Sequence, residues 1–336
     1  MHNCAARWRG GNIGRYFPPV LKQNRAGKNS NDPPMKHGLI TTFLTAALLG
    51  GCALASAAAL PTDDTERSCW LKYTRQRTQI NLNEPITVGF SNLRNGYVVA
   101  SPFEVGFAVR GMGVAPAGKV HNGTGHHHLL IDTRMPSSVT DKIPFNDKHM
   151  HFGKGQTSTL LNLPPGRHTL RLLFADHEHR PYFVFSPEIT VEVRGPRSTA
   201  SRPRIDPKDF DATCAAWYQD EVSRPRSPDE PLYVANLRAG EALTSPFNVR
   251  LGVDGFGVSA SGRPAEKTGH FILDVLSRVD RKPVRSFDLS NGATQASAFV
   301  GLGAYTLRMR FVDASSGADL LRPHELPISV TAQDKL

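Results

Sequence analysis

The sequence predicts an all-β protein made of two tandem immunoglobulin-like antiparallel β-sandwiches. Three observations carry this. Apolar and polar residues alternate at the strand period of two, as in Phe103-Glu104-Val105-Gly106-Phe107-Ala108-Val109, Thr169 to Phe174 and Ile189-Thr190-Val191-Glu192-Val193. With 29 Gly and 25 Pro, these runs are short and broken by turns, and almost none keeps helical period over ten residues. Finally, the chain repeats itself over about 120 residues, a unit too long for a solenoid and right for a sandwich of about seven strands.

Taken in order, residues 1–34 are polar, basic and aperiodic, and read as an extension upstream of the true start. Met35-Lys36-His37-Gly38 and the apolar run from Leu39 to Ala59 then form a secretory signal, 35–60. Two processing sites compete within it. Ala55 to Ala58 suits ordinary signal peptidase, whereas Leu49-Gly50-Gly51-Cys52 has the form of a lipobox that would leave Cys52 lipidated. Either way the mature chain is expected outside the cytoplasm, in the periplasm or anchored facing it. The first 60 residues hold seven Lys/Arg against one Asp, so the net charge of +10 falls to +4 without them. The remaining arginines are scattered and form no basic run with aromatics, which argues against a nucleic-acid partner. No later stretch is long enough to span a membrane, so contact with lipid is expected only through an anchor at Cys52.

The mature chain divides into a first copy (66–194), a Pro/Ser/Arg linker (195–208) and a second copy (209–334). Asn92-Leu93-Arg94-Asn95-Gly96 recurs as Asn236-Leu237-Arg238-Ala239-Gly240, Ser101-Pro102-Phe103 as Ser245-Pro246-Phe247, and Gly111-Met112-Gly113-Val114 as Gly255-Phe256-Gly257-Val258, all 144 residues apart. Further on, Gly166-Arg167-His168-Thr169-Leu170-Arg171 matches Gly303 to Arg308 at an offset of 137. Cys69 and Cys214 sit near the starts of the two copies beside Trp70 and Trp217. In an oxidising compartment they are expected to bridge the halves, the alternative being two separate buried thiols.

Nine of thirteen histidines fall between His121 and His179. On a strand from 126 to 132, Leu129 and Ile131 are core residues, so His127 shares their side while His126 and His128 face away. Met150 and Phe152 likewise point inward, which leaves His149 and His151 together on the other face. A His-x-His pair on a strand places two imidazoles about 7 Å apart on one side, suited to converge with a neighbouring strand on Cu(II) or Zn(II). The candidate ligands are His126, His128, His149, His151, His177 and His179, with Asp132 and Asp176 as carboxylates that would orient a ring. Their ungapped counterparts in the second copy are mostly not histidine: Phe271, Ile272, Ser286, Asp288, Ala314 and Ser316 stand at 127, 128, 149, 151, 177 and 179, and only His126 is kept, as His270. Folding therefore does not require most of them. A pocket for an anion or glycan and a purely structural histidine network are the competing readings, and His121, His168, His270 and His324 read as ordinary hydrogen-bonding residues.

Gly125-His126-His127-His128-Leu129-Leu130-Ile131-Asp132, His151-Phe152-Gly153-Lys154-Gly155-Gln156-Thr157, Leu163-Pro164-Pro165-Gly166-Arg167-His168-Thr169-Leu170 and Ala175-Asp176-His177 resemble, in this order, a family of uncharacterised exported bacterial domains. The resemblance spans Gly96 to Val193, implies export and carries no established activity. The second copy looks like a degenerate member. Gly153 to Thr157 lacks the spacing of a phosphate loop, His177-Glu178-His179 is not the zinc-protease motif, and there is no nucleophile elbow, so no catalytic residue is assigned. The expected function is exported copper or zinc binding, storage or delivery by the first copy, with a protein partner as a further role for the second. The alternative is a non-metal ligand-binding or adhesion module of the cell envelope, taking a small periplasmic ligand.

Overall fold

The computed structural model describes residues 58–80, 85–118, 120–262 and 265–332, all in one compact unit. Residues 1–34, most of 35–60 and Cys52 lie outside them. Among the described residues no helix is long and apolar enough to cross a membrane.

Two short helices, α1 (Asp64–Lys72) and α2 (Thr74–Thr78), open the first half. Its strands are β1 (Thr87–Phe90), β2 (Tyr97–Ser101), β3 (Phe103–Arg110), β4 (Gly113–Val114), β5 (Thr124–Ile131), β6 (His149–His151), β7 (Ser158–Leu161), β8 (Gly166–Ala175), β9 (Pro181–Phe185) and β10 (Ile189–Pro196). They form a three-stranded sheet, β1-β3-β7, and a larger one, β2-β10-β8-β5-β4, with β6 paired to β5 and β9 to β8. Helix α3 (Phe210–Val222) leads into β11 (Leu232–Val234), β12 (Ala242–Leu243), β13 (Phe247–Val253), β14 (Gly257–Val258), β15 (Thr268–Ser277), β16 (Pro283–Asp288), β17 (Gln295–Ala298), β18 (Gly303–Asp313) and β19 (His324–Val330). These pair as β11-β13-β17 and β12-β19-β18-β15-β14, with β16 on β15. Strand for strand the orders correspond, and only β9 has no counterpart. Most pairs are antiparallel, but β2–β10, β4–β5, β12–β19 and β14–β15 run parallel, so the two larger sheets are mixed while the three-stranded ones are wholly antiparallel.

The alternating residues fill the space between the sheets as their period requires. Phe103, Val105, Phe107 and Val109 of β3 and Phe247, Val249, Leu251 and Val253 of β13 belong to one apolar cluster that runs through both halves.

The three helices are the part of the fold that the strand pattern does not announce. Asp63 caps α1 by accepting from the N–H groups of Thr65 and Glu66, both at 2.9 Å. The buried apolar residues of α3, Cys214, Trp217 and Tyr218, stand at i, i+3 and i+4, a stripe of a single turn. Each helical segment precedes one half but reaches the other. Asn236 Nδ2, in the second half, donates to the Arg77 carbonyl of α2 (3.0 Å), while Asn92 Nδ2, in the first, donates to the Val222 carbonyl of α3 (2.9 Å). The two asparagines of the repeated Asn-Leu-Arg motif therefore do the same work. Glu241, fully buried, is matched by Arg77 (2.8 Å), Trp70 Nε1 (2.6 Å), Thr74 Oγ1 (2.9 Å) and the Arg238 N–H (2.8 Å). A carboxylate this deep is tolerable only with such a complete set of donors.

Cys69 and Cys214 are disulfide-bonded between α1 and α3, packed with Trp70, Trp217 and Tyr218. The link is 145 residues long in sequence, so its removal frees a large loop in the unfolded chain. Replacing Cys69 with Ser is expected to lower the unfolding free energy by about 2–5 kcal/mol, measured by urea denaturation. The Arg197 to Arg204 linker should at the same time become more sensitive to trypsin.

Candidate metal centre

Strand β5 lies between β8 and β6 and is buried along its whole length. Its alternation sends His127 into the core, where its ring sits 5.1 Å from that of Phe107 and 4.9 Å from that of Phe174. Burial pushes His127 down to about 3, so the ring packs as a neutral wedge. His126 and His128 face the other way. Strand β6 runs antiparallel to β5 with His151 opposite His128, which brings a third imidazole onto the same face.

The ligand nitrogens of His126, His128 and His151 all lie within 4.8 Å of one another, and the Nε2 atoms of His126 and His128 are 3.0 Å apart. Ring centroids are 4.9 Å apart for His126 and His128, 4.9 Å for His126 and His151, and 5.0 Å for His128 and His151. Two glycines make this possible. A Cβ at Gly125 would sit 2.3 Å from the Ala175 carbonyl oxygen, and one at Gly153 would sit 2.1 Å from His151 Nε2. The second copy has Ser290 at the position of Gly153, where Asp288 replaces His151. Glycine and histidine thus change together between the copies.

All three rings are held neutral. Burial, then the neighbouring His128, His151 and His179, brings His126 down to about 2; burial, then His151 and His179, brings His128 to about 3. Burial and His179 also lower His151. Neutral imidazoles keep a lone pair for an ion. Nδ1 of His126, Nδ1 of His128 and Nε2 of His151 are buried with no hydrogen-bond partner among the described residues. Neutral imidazole nitrogens this close together suit a cation that accepts nitrogen donors.

His179 reaches this group from the turn after β8. Its ring centroid is 4.6 Å from that of His151, 5.1 Å from His126 and 6.1 Å from His128. In the turn, Asp176 Oδ1 accepts from the N–H groups of Glu178 and Arg180, both at 2.8 Å, and the Asp176 N–H donates to the Arg180 carbonyl. The second half builds the same device one residue longer: Asp313 Oδ1 accepts from Ser315 and Ser316, and the Asp313 N–H donates to the Ala318 carbonyl. The residue before the closing one is left-handed in both, His179 at φ 71° and Gly317 at φ 69°. The structural counterpart of His179 is thus Gly317, and the ungapped alignment to Ser316 is off by one.

The remaining expected site residues stand elsewhere. His149 lies opposite Leu130, a further step along β6, and its Nδ1 is held by Asn146 Oδ1 at 3.1 Å, outside the group of three. His177 lines a cleft of about 400 Å³ beside His126, together with His121, Asp176 and Tyr182. Asp132 orients no ring of the group: its Oδ2 takes His168 Nδ1 (2.7 Å) and its Oδ1 the Thr169 N–H (2.7 Å). Asp176 is occupied with its own turn. Asp132 is taken by the His168 ring and the Thr169 N–H, and Asp176 by the N–H groups of Glu178 and Arg180. The Phe145 ring, 5.8 Å from His151 and largely exposed, flanks the site with no signal in the sequence.

The His168–Asp132 pair carries a pH signature. Burial opposes the charge on both, but the mutual hydrogen bond and the Pro164 carbonyl raise His168 overall, and His168 with the Thr169 N–H lowers Asp132. The histidine's contribution is present below its unfolded pKa, about 6.5, and fades as pH rises through the raised value. The aspartate's is present above its unfolded value, about 3.9, and fades as pH falls through the lowered one. Asp132→Asn is therefore expected to cost most near pH 5, by no more than about 1 kcal/mol because the pair is partly solvated, and least near pH 9. Denaturation midpoints at the two pH values check this.

The solved structures that match do so at low identity and low TM-score. They include the fibronectin(III)-like modules of Clostridium thermocellum CbhA (9% identity, 73% of this chain and 94% of that one, TM-score 0.22). CopC from Methylosinus trichosporium OB3b matches at 13% identity over 29% of this chain and 89% of that one, TM-score 0.19. The FN1-FN3 domains of chicken CNTN1 match at 8% identity over 72% and 68%, TM-score 0.20. No curated protein matches the sequence. Residues 105–194, the stretch from β3 to β10 that holds the whole histidine group, match the model of a domain of unknown function, DUF4399.

Proposed function

We propose that the first half binds one first-row transition-metal ion, copper or zinc, on His126, His128 and His151, and that the protein serves outside the cytoplasm to bind, store or deliver it. One observation carries the reading: three neutral imidazoles from two paired strands bring ligand nitrogens within 4.8 Å of one another. The secretory-type segment 35–60 supports export, and Cys52 would add a lipid anchor. In this reading the second half is a scaffold for the first. The cleft beside His126 favours a second reading, in which the chain takes a small polar ligand without a metal.

Metal analysis of the untagged full chain separates the two, since about one tightly held ion per chain is expected and none would sink the metal reading. His128→Ala/His151→Ala should lower affinity by at least about a hundredfold, beyond what an outer-shell partner costs. His149→Ala should change it little. Gly153→Ala supplies a finer check. A methyl there would sit 2.1 Å from His151 Nε2 and displace the ring, so affinity should fall at least about tenfold.

A further inference from the structure

We infer that His179 is a conditional fourth ligand, joining the ion when it is copper(II) and standing off when it is copper(I). The inference rests on the metal reading of His126, His128 and His151 and adds to it a preference for oxidation state. The turn carries the argument. Both halves build it with the same aspartate and the same left-handed residue before closure, yet the second half uses Gly317 there and the first uses His179. Glycine is the unstrained choice at φ near 70°, and a histidine is disfavoured there unless its side chain has work to do. The Asp176 carbonyl accepts the His179 N–H (3.0 Å), and the His179 carbonyl accepts the Ile143 N–H (2.9 Å). The backbone is fixed by these bonds, and the ring is packed against the three others.

His179 nevertheless stands just outside the set of mutually close ligand nitrogens, which comprises His126, His128 and His151. Three ligands come from two paired strands and one from a turn, so His179 joins or leaves the ion by rotation of its ring over a fixed backbone. Copper(I), with a filled d shell, is satisfied by three imidazoles. Copper(II) prefers four donors in a tetragonal arrangement and gains from the fourth ring. The structure thus pairs a rigid three-ligand floor with one exchangeable arm.

The test uses the untagged full chain and its His179→Gly variant, with copper(II) and copper(I) measured separately by competition with chromophoric chelators. Glycine removes the ring and suits the backbone, so the metal-free thermal midpoint should hold or rise. Copper(II) affinity should fall at least about tenfold, its electron paramagnetic resonance spectrum should lose one nitrogen coupling, and copper(I) affinity should stay within about threefold. Equal losses for the two ions would overturn the inference, because His179 would then be a permanent ligand. Unchanged copper(II) affinity would overturn it as well. His179→Asn, which tolerates the left-handed backbone, repeats the comparison should the glycine variant loosen the turn. A wild-type chain that binds neither ion overturns the metal reading itself, and that is seen before any variant is compared.

Discussion

The fold depends on a reciprocal clamp between its halves. Helices α1 and α2 precede the first sandwich and reach Asn236 and Glu241 of the second, while α3 precedes the second and ends on Asn92 of the first. The Cys69–Cys214 bond ties the helices together at the crossing. Loops repeat the exchange on the sheets: the Val258 N–H donates to the Gly155 carbonyl (2.7 Å), and the Val114 N–H donates to the Gly292 carbonyl (2.8 Å). Neither glycine can carry a side chain, since a Cβ at Gly155 would lie 2.2 Å from the Val258 carbonyl oxygen and one at Gly292 would lie 2.3 Å from that of Val114. Gly155 follows His151 by four residues. The contact that joins the halves therefore also anchors the strand that supplies a candidate ligand.

That anchoring matters because the histidine face is poorly matched internally. His126 and His128 are 0% and 1% exposed, and each keeps a nitrogen with no partner among the described residues. An interior of this kind is destabilising unless it is rigidly held and put to use. The second half shows the same sheet built otherwise. Ile272 and Asp288 pair where His128 and His151 pair, and Phe271 fills the core position of His127. Fold and site separate cleanly at these positions.

Much of this was legible in the residues. Alternation placed the strands, and the apolar partners of His127, Leu129 and Ile131, assigned the faces of β5. The helices were not legible, because α1 buries only Cys69 and Trp70 and α3 has a stripe of one turn, too little for a period of 3.6 to emerge. The separation of His149 from His151 could not be read either. Both lie on one face, and only the register against β5, with His151 opposite His128, decides which of them joins the group. Asp132 and Asp176 were misjudged for a related reason. A carboxylate beside a strand end or in a tight turn meets backbone N–H groups first, and proximity in sequence to a histidine says nothing about that competition.

The two halves together suggest how a costly site is carried. Exchanging a buried imidazole for an apolar side chain, as between His127 and the fully buried Phe271, exchanges a poorly matched polar ring for apolar burial worth roughly 2 kcal/mol. The first half forgoes that gain at His126, His127 and His128 and accepts a left-handed histidine at 179, while the second half takes the apolar and glycine choices at most of these places. Stability can then be concentrated in one sandwich and in the shared core, disulfide and helix exchange. The other sandwich is left with geometry that folding alone would not select. A half that keeps the sheet order yet replaces His128 and His151 with Ile272 and Asp288 supplies the reason to regard those positions as chemistry rather than packing.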